Sequence, residues 1–147
     1  MRSKEILKGL VLLLFLFAGM ASLADSFNLT KGGVAFRDLQ VGKGRTVVVG
    51  DIVTVHLTGW VGEHGATSRA FMNTRREHHP VSFLVGTQRV IAGWNEGVQG
   101  MRVGGRRLLR IPPELGIGVR SFEDKIPANA RLVFLVELLE VRPPQAN

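Results

Sequence analysis

Short apolar runs, each ended by glycine, proline or a polar cluster, follow one another along most of this chain. The run Ile52–Thr58 is typical, because β-branched residues dominate it and such residues favour strands. The chain also contains 18 glycines, which suit the many turns that short strands need. We therefore predict a domain built mainly from short strands.

The same pattern locates the individual elements. We predict strands in four further segments: Val34–Gln40 (an edge strand), Val81–Val85, Arg106–Ile111 and Arg131–Val141. Ile91, Trp94, Val98 and Met101 follow one another at spacings of three, four and three residues, which is one face of a short helix. About five or six strands and one helix predict an α+β domain in which an antiparallel sheet wraps against that helix.

The first 24 residues have the composition of a secretory signal peptide. Met1–Lys8 carries three positive charges, and Gly9–Ala24 is a 16-residue stretch without charge that ends in small residues. We predict cleavage before Asp25 and export, most simply to a periplasm. The alternative is an uncleaved membrane anchor, although a spanning helix usually needs about 20 apolar residues. The remaining chain divides into a flexible lead (25–33), one domain (34–142) and a tail (143–147).

Charge and composition argue against several other classes of function. The formal net charge is +7, but the arginines are spread along the chain instead of forming a nucleic-acid footprint. A basic surface module could still be built from one strand region: Arg102, Arg106, Arg107 and Arg110. Alternation along a strand would split those side chains between two faces. Cysteine is absent, which excludes disulfides and cysteine-based zinc sites.

Histidines concentrate in the loop region before the third predicted strand. His64, His78 and His79 lie between Val61 and Pro80, and His56 precedes them in a strand. Adjacent histidines in an extended chain point in different directions, so we predict a solvated loop with no metal and no other cofactor. His56 is interpreted as a hydrogen-bonded structural residue.

Four segments together resemble one known family. They are Val55–Gly59, Val90–Met101, Val103–Leu115 and Ile126–Leu139, and they occur in the family's order with its gaps. Over about residues 34–142 the chain resembles the FKBP-type peptidyl-prolyl cis-trans isomerases, also called macrolide-binding immunophilins. The resemblance implies an antiparallel half-barrel of five or six strands wrapped around one short helix.

The chemistry implied by this family needs an apolar cavity. Rotation about an X-Pro bond faces a barrier of roughly 18–20 kcal/mol. The planar amide is more polar than the twisted one, so apolar walls disfavour the planar form relative to the twisted form and lower the barrier. Neither a nucleophile nor a metal is required, only such walls and a few backbone donors that hold peptide carbonyls.

The resemblance assigns residues to that cavity. Trp94 would form its floor, and the backbone N–H of Ile91 would receive a substrate carbonyl. Phe71 and Phe134 complete the catalytic set, and Val90 and Ile126 add apolar wall that contacts the substrate. Each can also be explained as an ordinary core residue, and for Trp94 and Phe134 taken alone that is the better explanation; the surrounding motifs are what favour a site.

The chain departs from the family pattern mainly in its lack of tyrosine. Leu57, Val81 and Ile117 stand at family aromatic positions, the last of which normally carries a tyrosine hydroxyl donor. Met72 replaces an aspartate, and Phe122 would partly refill the rim. These five positions are assigned to substrate contact in a more aliphatic pocket. The loss of a donor costs about 0.5–1.5 kcal/mol of binding, so we expect a working but weakened isomerase and weak macrolide binding.

The expected function is therefore the isomerisation of prolyl segments in unfolded or exported proteins by a monomer. No nucleic acid and no lasting membrane anchor are expected as partners. The alternative is a chaperone-like module that grips proline-containing segments without useful turnover, because the substitutions in the pocket affect catalysis as well as binding.

Overall fold

A computed structural model describes residues 26–63, 69–118, 121 and 123–144. The predicted signal peptide lies outside these residues, as do His64, Phe122 and positions 145–147 of the predicted tail. None of the described helices combines the length with the apolar character that a bilayer crossing requires.

Seven strands and one short α-helix make up the described part of the domain. In chain order the elements are β1 (Asn28–Leu29), β2 (Ala35–Gln40), β3 (Ile52–Val61), β4 (Met72–Asn73), β5 (Val81–Leu84), α1 (Ala92–Val98), β6 (Arg106–Ile111), a 3₁₀ turn (Pro113–Leu115) and β7 (Leu132–Arg142). All strand pairings are antiparallel, in the order β1-β2-β6-β7-β3-β4, with β5 also paired to β3. The predicted α+β class is confirmed. The two-residue strands β1 and β4 raise the strand number above the predicted five or six, and β1 covers the predicted edge strand β2.

The two longest strands, β3 and β7, form the centre of the sheet because both alternate apolar and polar side chains. Every second residue of β3 from Val53 to Leu57 is buried, while Thr54 and His56 between them are only partly covered. In β7, Phe134, Val136 and Leu138 are buried in the same way. This period of two directs one face of the sheet towards the helix, and that face carries most of the core.

Helix α1 packs very closely against β6 because its contact face carries glycine. A Cβ atom at Gly93 would lie 2.5 Å from the Ile111 side chain, and one at Gly97 would overlap Leu109. Val98 and Met101 are buried, as the predicted apolar face requires, and Trp94 is partly covered. The close approach fixes where the first turn of α1, including Trp94, meets the sheet.

The segment predicted to be a flexible lead is joined to the domain. Strand β1 pairs with β2 through Asn28 and Leu29. Beyond it, Thr30 Oγ1 donates to Glu96 Oε2 on α1 at 2.6 Å, and the N–H of Gly32 donates to the same oxygen at 3.1 Å. These contacts place described residues of the lead against the helix.

One arginine of β6 lies inside the domain. Arg107 is buried and donates to both carboxylate oxygens of Asp38, at 2.7 and 3.1 Å. Its Nη1 also donates to the Gly97 and Gln99 carbonyls at the end of α1, at 3.0 and 2.9 Å. Its guanidinium carbon lies 4.4 Å from the ring centroid of Phe36. Since Arg106 and Arg110 beside it are exposed, the predicted split of the basic residues between two faces is confirmed.

Asp51 is a buried acidic residue at the turn that enters β3. It accepts a hydrogen bond from the Val48 N–H at 3.0 Å and one from Arg45 Nη2 at 2.9 Å. The Val48 backbone donor, aided by the Arg45 hydrogen bond and charge, holds the pKa of this carboxyl below its ordinary value of 3.8, although burial opposes the shift. The ionised form is therefore favoured in the folded state.

We expect this lowered pKa to make the domain less stable in acid. Stabilisation by ionised Asp51 is complete above pH 3.8, the ordinary value, and is lost as the pH falls through the lower folded-state pKa. Asp51→Asn should unfold at lower urea concentration than the wild type at pH 7, and the difference should shrink below pH 3.8. Urea unfolding at pH 7, 4.5 and 3 tests this. An equal difference at all three pH values would contradict it.

Candidate functional site

A cavity of about 580 Å³ opens beside the start of helix α1, a size typical of ligand sites. Its walls come from five places: the end of the β3–β4 loop, β4 with the loop after it, the start of α1, the loop after β6, and β7. The lining residues are Phe71, Met72, Glu77, Ile91, Trp94, Gly116, Ile117, Ser121, Lys125, Ile126, Leu132 and Phe134. Most of these side chains are apolar, so the site is an apolar cavity with a polar rim.

Three aromatic side chains form its base. The Trp94 and Phe134 rings meet edge to face, with centroids 5.4 Å apart and planes at 88°. Phe71 meets Phe134 in the same manner at 5.7 Å and 89°, and Phe83 supports Trp94 from the core at 6.0 Å. Edge-to-face contacts hold each ring in a defined orientation, so the base is a rigid apolar surface.

Two residues outside the cavity lining, Gly59 and Thr74, help to hold these rings in position. A Cβ at Gly59 of β3 would lie 2.7 Å from both Phe134 and Phe71, so only glycine leaves room for the two rings. Thr74 is buried, and its Oγ1 accepts from the Leu57 N–H at 2.9 Å and hydrogen-bonds His56 Nδ1 at 3.1 Å. This ties the segment that carries Phe71 to β3, and it confirms the structural role predicted for His56.

The indole of Trp94 carries an unsatisfied donor. Its Nε1 is buried and has no hydrogen-bond partner among the described residues. Leaving a buried donor unpaired costs about 1–3 kcal/mol. The indole therefore occupies this position at a cost in stability, which is consistent with a residue that serves the cavity and not only the core.

The backbone at Ile91 offers a hydrogen-bond donor at the cavity wall. Ile91 is the residue before α1, and its carbonyl accepts from the N–H groups of Trp94 and Asn95. Its own N–H meets no acceptor within the described part of the chain. The first N–H groups of a helix have no partner inside the helix, so this one is available to a carbonyl of a bound peptide.

Seven of the eleven residues assigned from the sequence meet at this one cavity. They are Phe71, Met72, Ile91, Trp94, Ile117, Ile126 and Phe134. Val90 lines the groove next to it, and Phe122 lies outside the described residues.

Leu57 and Val81 are placed away from the lining. Leu57 is 1% exposed, because its position on the inner face of β3 puts it in the core. Val81 begins β5, pairs with Val55 and packs against the core from its edge. Neither side chain reaches the cavity, so their assignment to substrate contact is corrected to core packing.

The rest of the lining, including Gly116 and Leu132, is not predicted by the sequence. Glu77, Ser121 and Lys125 provide its polar groups, and all three side chains come from loops. Nothing in the local sequence singles them out, since loops commonly carry such residues. Only the folding of two distant loops over the aromatic base brings them to one rim.

This arrangement suits a reaction that needs no bond breaking. The cavity offers apolar walls, a rigid aromatic base and one free backbone donor, which are the features expected to favour a twisted amide over a planar one. Among the described residues, no three histidine, cysteine, aspartate or glutamate side chains group as metal ligands would.

Comparison with known proteins gives the family. Residues 43–139 match the family model described as FKBP-type peptidyl-prolyl cis-trans isomerase. An FK506-binding protein of Neisseria meningitidis serogroup B is 43% identical over 110 residues, which cover 75% of this chain and 97% of that protein. FK506-binding protein 2 of Candida glabrata is 45% identical over 92 residues, which cover 63% of this chain and 65% of that protein.

Two solved structures have the same fold. AtFKBP13 matches with a TM-score of 0.70 and 31% identity over 80% of this chain and 99% of its own. FkpA from Escherichia coli matches with a TM-score of 0.70 and 32% identity over 85% of this chain and 56% of its own. The matches in sequence and fold agree with the apolar cavity beside Trp94: this chain belongs to the FKBP family and is a peptidyl-prolyl cis-trans isomerase.

Proposed function

We propose that this isomerase acts on proline-containing segments of unfolded exported proteins, and that it does so more slowly than relatives with a tyrosine-bearing pocket. The observation that carries this proposal is the cavity of about 580 Å³, whose aromatic base is complete but whose wall has Ile117 at the hydroxyl-donor position. The apolar environment is kept, and one fixed donor is lost.

The residues divide the work as follows. Trp94 and Phe134 receive the prolyl ring, because their edge-to-face contact holds both rings in place at the apolar base. The Ile91 N–H donates to a peptide carbonyl. This hydrogen bond fixes the peptide on one side of the X-Pro bond, which rotates without being broken. Apolar walls at Phe71 and Ile126 keep water from stabilising the planar amide. Rotation of the amide forms no charged intermediate, so no charged side chain is needed at the rotating bond.

The direct test measures cis/trans exchange of a short X-Pro peptide by NMR, with and without the purified protein. An increase in the exchange rate in proportion to enzyme concentration supports the proposal. Unchanged exchange at high enzyme concentration would overturn it.

Restoring the missing hydroxyl should strengthen binding. In Ile117→Tyr, we expect affinity for the macrolide FK506 and kcat/KM for an X-Pro peptide to rise about two- to tenfold, since one hydrogen bond contributes about 0.5–1.5 kcal/mol. Ile117→Phe is the matched control because it adds the ring without the hydroxyl. Equal gains in both variants would show that ring area, and not hydrogen bonding, limits this pocket.

The exported location rests on the amino-terminal sequence. A basic segment followed by a 16-residue stretch without charge and a small-residue end supports secretion with cleavage before Asp25. Amino-terminal sequencing of the protein recovered from a periplasmic extract should begin at Asp25. Recovery of the uncleaved chain in the membrane fraction would favour the tethered alternative.

A second candidate is a chaperone-like module that holds prolyl segments without useful turnover. Met72 and Ile117 favour it, because both leave the pocket with fewer polar groups to orient a substrate. Under this candidate the protein would suppress aggregation of an unfolded client and leave peptide exchange rates unchanged. Weak macrolide binding and a monomeric state are expected under either candidate.

A further inference from the structure

A second groove begins where the prolyl cavity ends. It has a volume of about 770 Å³ and runs along the segment before α1 and the first turns of that helix. Ile91, Trp94 and Gly116 line both spaces. A peptide seated over Trp94 can therefore continue into this groove without leaving the surface.

The outer wall of the groove is built by a helix side chain. Asn95 Oδ1 accepts from the Gly86 N–H at 2.9 Å, and its Nδ2 donates to the Thr87 carbonyl at 2.5 Å. Gly86 has a φ of +96°, which only glycine adopts without strain. These two hydrogen bonds hold the loop from Gly86 to Val90 beside the helix, where it forms one wall of the groove. The groove is therefore shaped by contacts within the domain.

Two charged side chains line this groove, Arg89 and Glu96, and they differ in how far other residues hold them. Glu96 already accepts from Thr30 Oγ1 and the Gly32 N–H, so its carboxylate is engaged by the lead. Arg89 is exposed and has no ion pair or hydrogen bond within the described residues. Arg89 is therefore the charged side chain of the groove that is free to turn towards a ligand, while Glu96 is held against the lead.

We propose that this groove binds the substrate residues that flank the proline on one side, and that Arg89 selects an acidic side chain among them. The proposal rests on the function proposed above, because it extends the same peptide beyond the prolyl cavity. The ligand is an extended peptide segment with a carboxylate two or three residues from the proline.

The test is a series of X-Pro peptides that carry Glu, Gln or Lys two or three residues before or after the proline. We expect Glu at one of these positions to give kcat/KM about two- to fivefold above Lys, the size of one exposed ion pair. The preference should weaken as salt is raised from 20 to about 500 mM, because exposed charges are screened. NMR exchange is the readout, since a coupling protease would add its own charge preference.

Variants at Arg89 test whether this residue causes the preference for Glu over Lys. Arg89→Gln should remove the preference, and Arg89→Glu should reverse it in favour of Lys. Lys43→Gln is the control, because it changes net charge equally at an exposed residue in the β2–β3 loop. A preference that survives in Arg89→Gln, or that disappears equally in Lys43→Gln, overturns the proposal.

A binding readout separates this proposal from the isomerase function. In ¹⁵N spectra, the Glu peptide should shift the Thr87 and Gln88 amides together with Ile91, and the Lys peptide should shift mainly Ile91. Rate acceleration that is uniform across the series, with no shifts at Thr87 and Gln88, would reject the groove and keep the isomerase. No acceleration for any peptide would reject the proposed function, while charge-dependent shifts at these amides would still report on the groove.

Discussion

Replacing Trp94 with alanine is expected to lower kcat/KM for an X-Pro peptide by about 10- to 100-fold. Burial of one aromatic side chain against a ligand contributes about 1.5–3 kcal/mol, and each 1.36 kcal/mol is tenfold in rate. The indole lies at the cavity base and orients against Phe134, so its loss removes apolar surface at the rotating bond and admits water. NMR exchange at several enzyme concentrations measures the change.

Two controls separate this effect from a general loss of structure. Trp94→Phe keeps an aromatic base and should retain most of the activity. Trp60→Ala makes the same substitution at the next β3 residue after Gly59, where alternation directs the side chain to the opposite face of the sheet. It should leave kcat/KM nearly unchanged. Activity in folded Trp94→Ala that equals the wild type would show that the cavity is not the site of rotation.

Replacing Arg107 with methionine is expected to destabilise the domain by about 3 kcal/mol, near the lower end for breaking a buried ion pair. The substitution leaves the carbonyls of Gly97 and Gln99 without their donor and Asp38 without its partner. Methionine preserves much of the side-chain volume, so the loss reports on the polar contacts. The midpoint of urea unfolding at pH 7 measures it.

The neighbouring residue provides the matched control. Arg106 is exposed and lies 3.5 Å from Glu137, an ion pair of the kind that contributes about 0–1 kcal/mol. Arg106→Met should therefore shift the urea midpoint only slightly. Equal destabilisation by the two substitutions would mean that the link between β6 and the end of α1 does not determine stability.

Much of the fold could be predicted from the sequence because the central elements have strong local signals. Strands β3 and β7 carry β-branched and apolar residues in alternation, and α1 shows the spacing of Ile91, Trp94 and Val98. Strands β1 and β4 are two residues long and exist only through their partners, so no local pattern indicates them. Gly93 and Gly97 allow the helix to contact β6, and the sequence does not distinguish this packing role from the turns that glycine generally favours.

The site was predictable to the extent that motif order identified the family. Motif order pointed to Trp94, Ile91 and Phe134, which the fold brings to one cavity. It did not separate Leu57, which faces the core, from residues that reach the surface of the cavity. Glu77 and Lys125 were missed because the polar rim depends on how two loops close over the base, and the sequence carries no signal for that closure.

The position of β7 also determines when this domain can acquire its structure during synthesis. Its residues, Leu132–Arg142, are the last strand of the described chain, yet they sit in the middle of the sheet between β3 and β6. Until they leave the ribosome, no strand joins the half of the sheet that contains β6 to the half that contains β3, and the cavity lacks Phe134. Folding must therefore wait for nearly the whole described chain, and a ribosome-bound fragment that stops before residue 132 has neither a closed sheet nor a complete pocket.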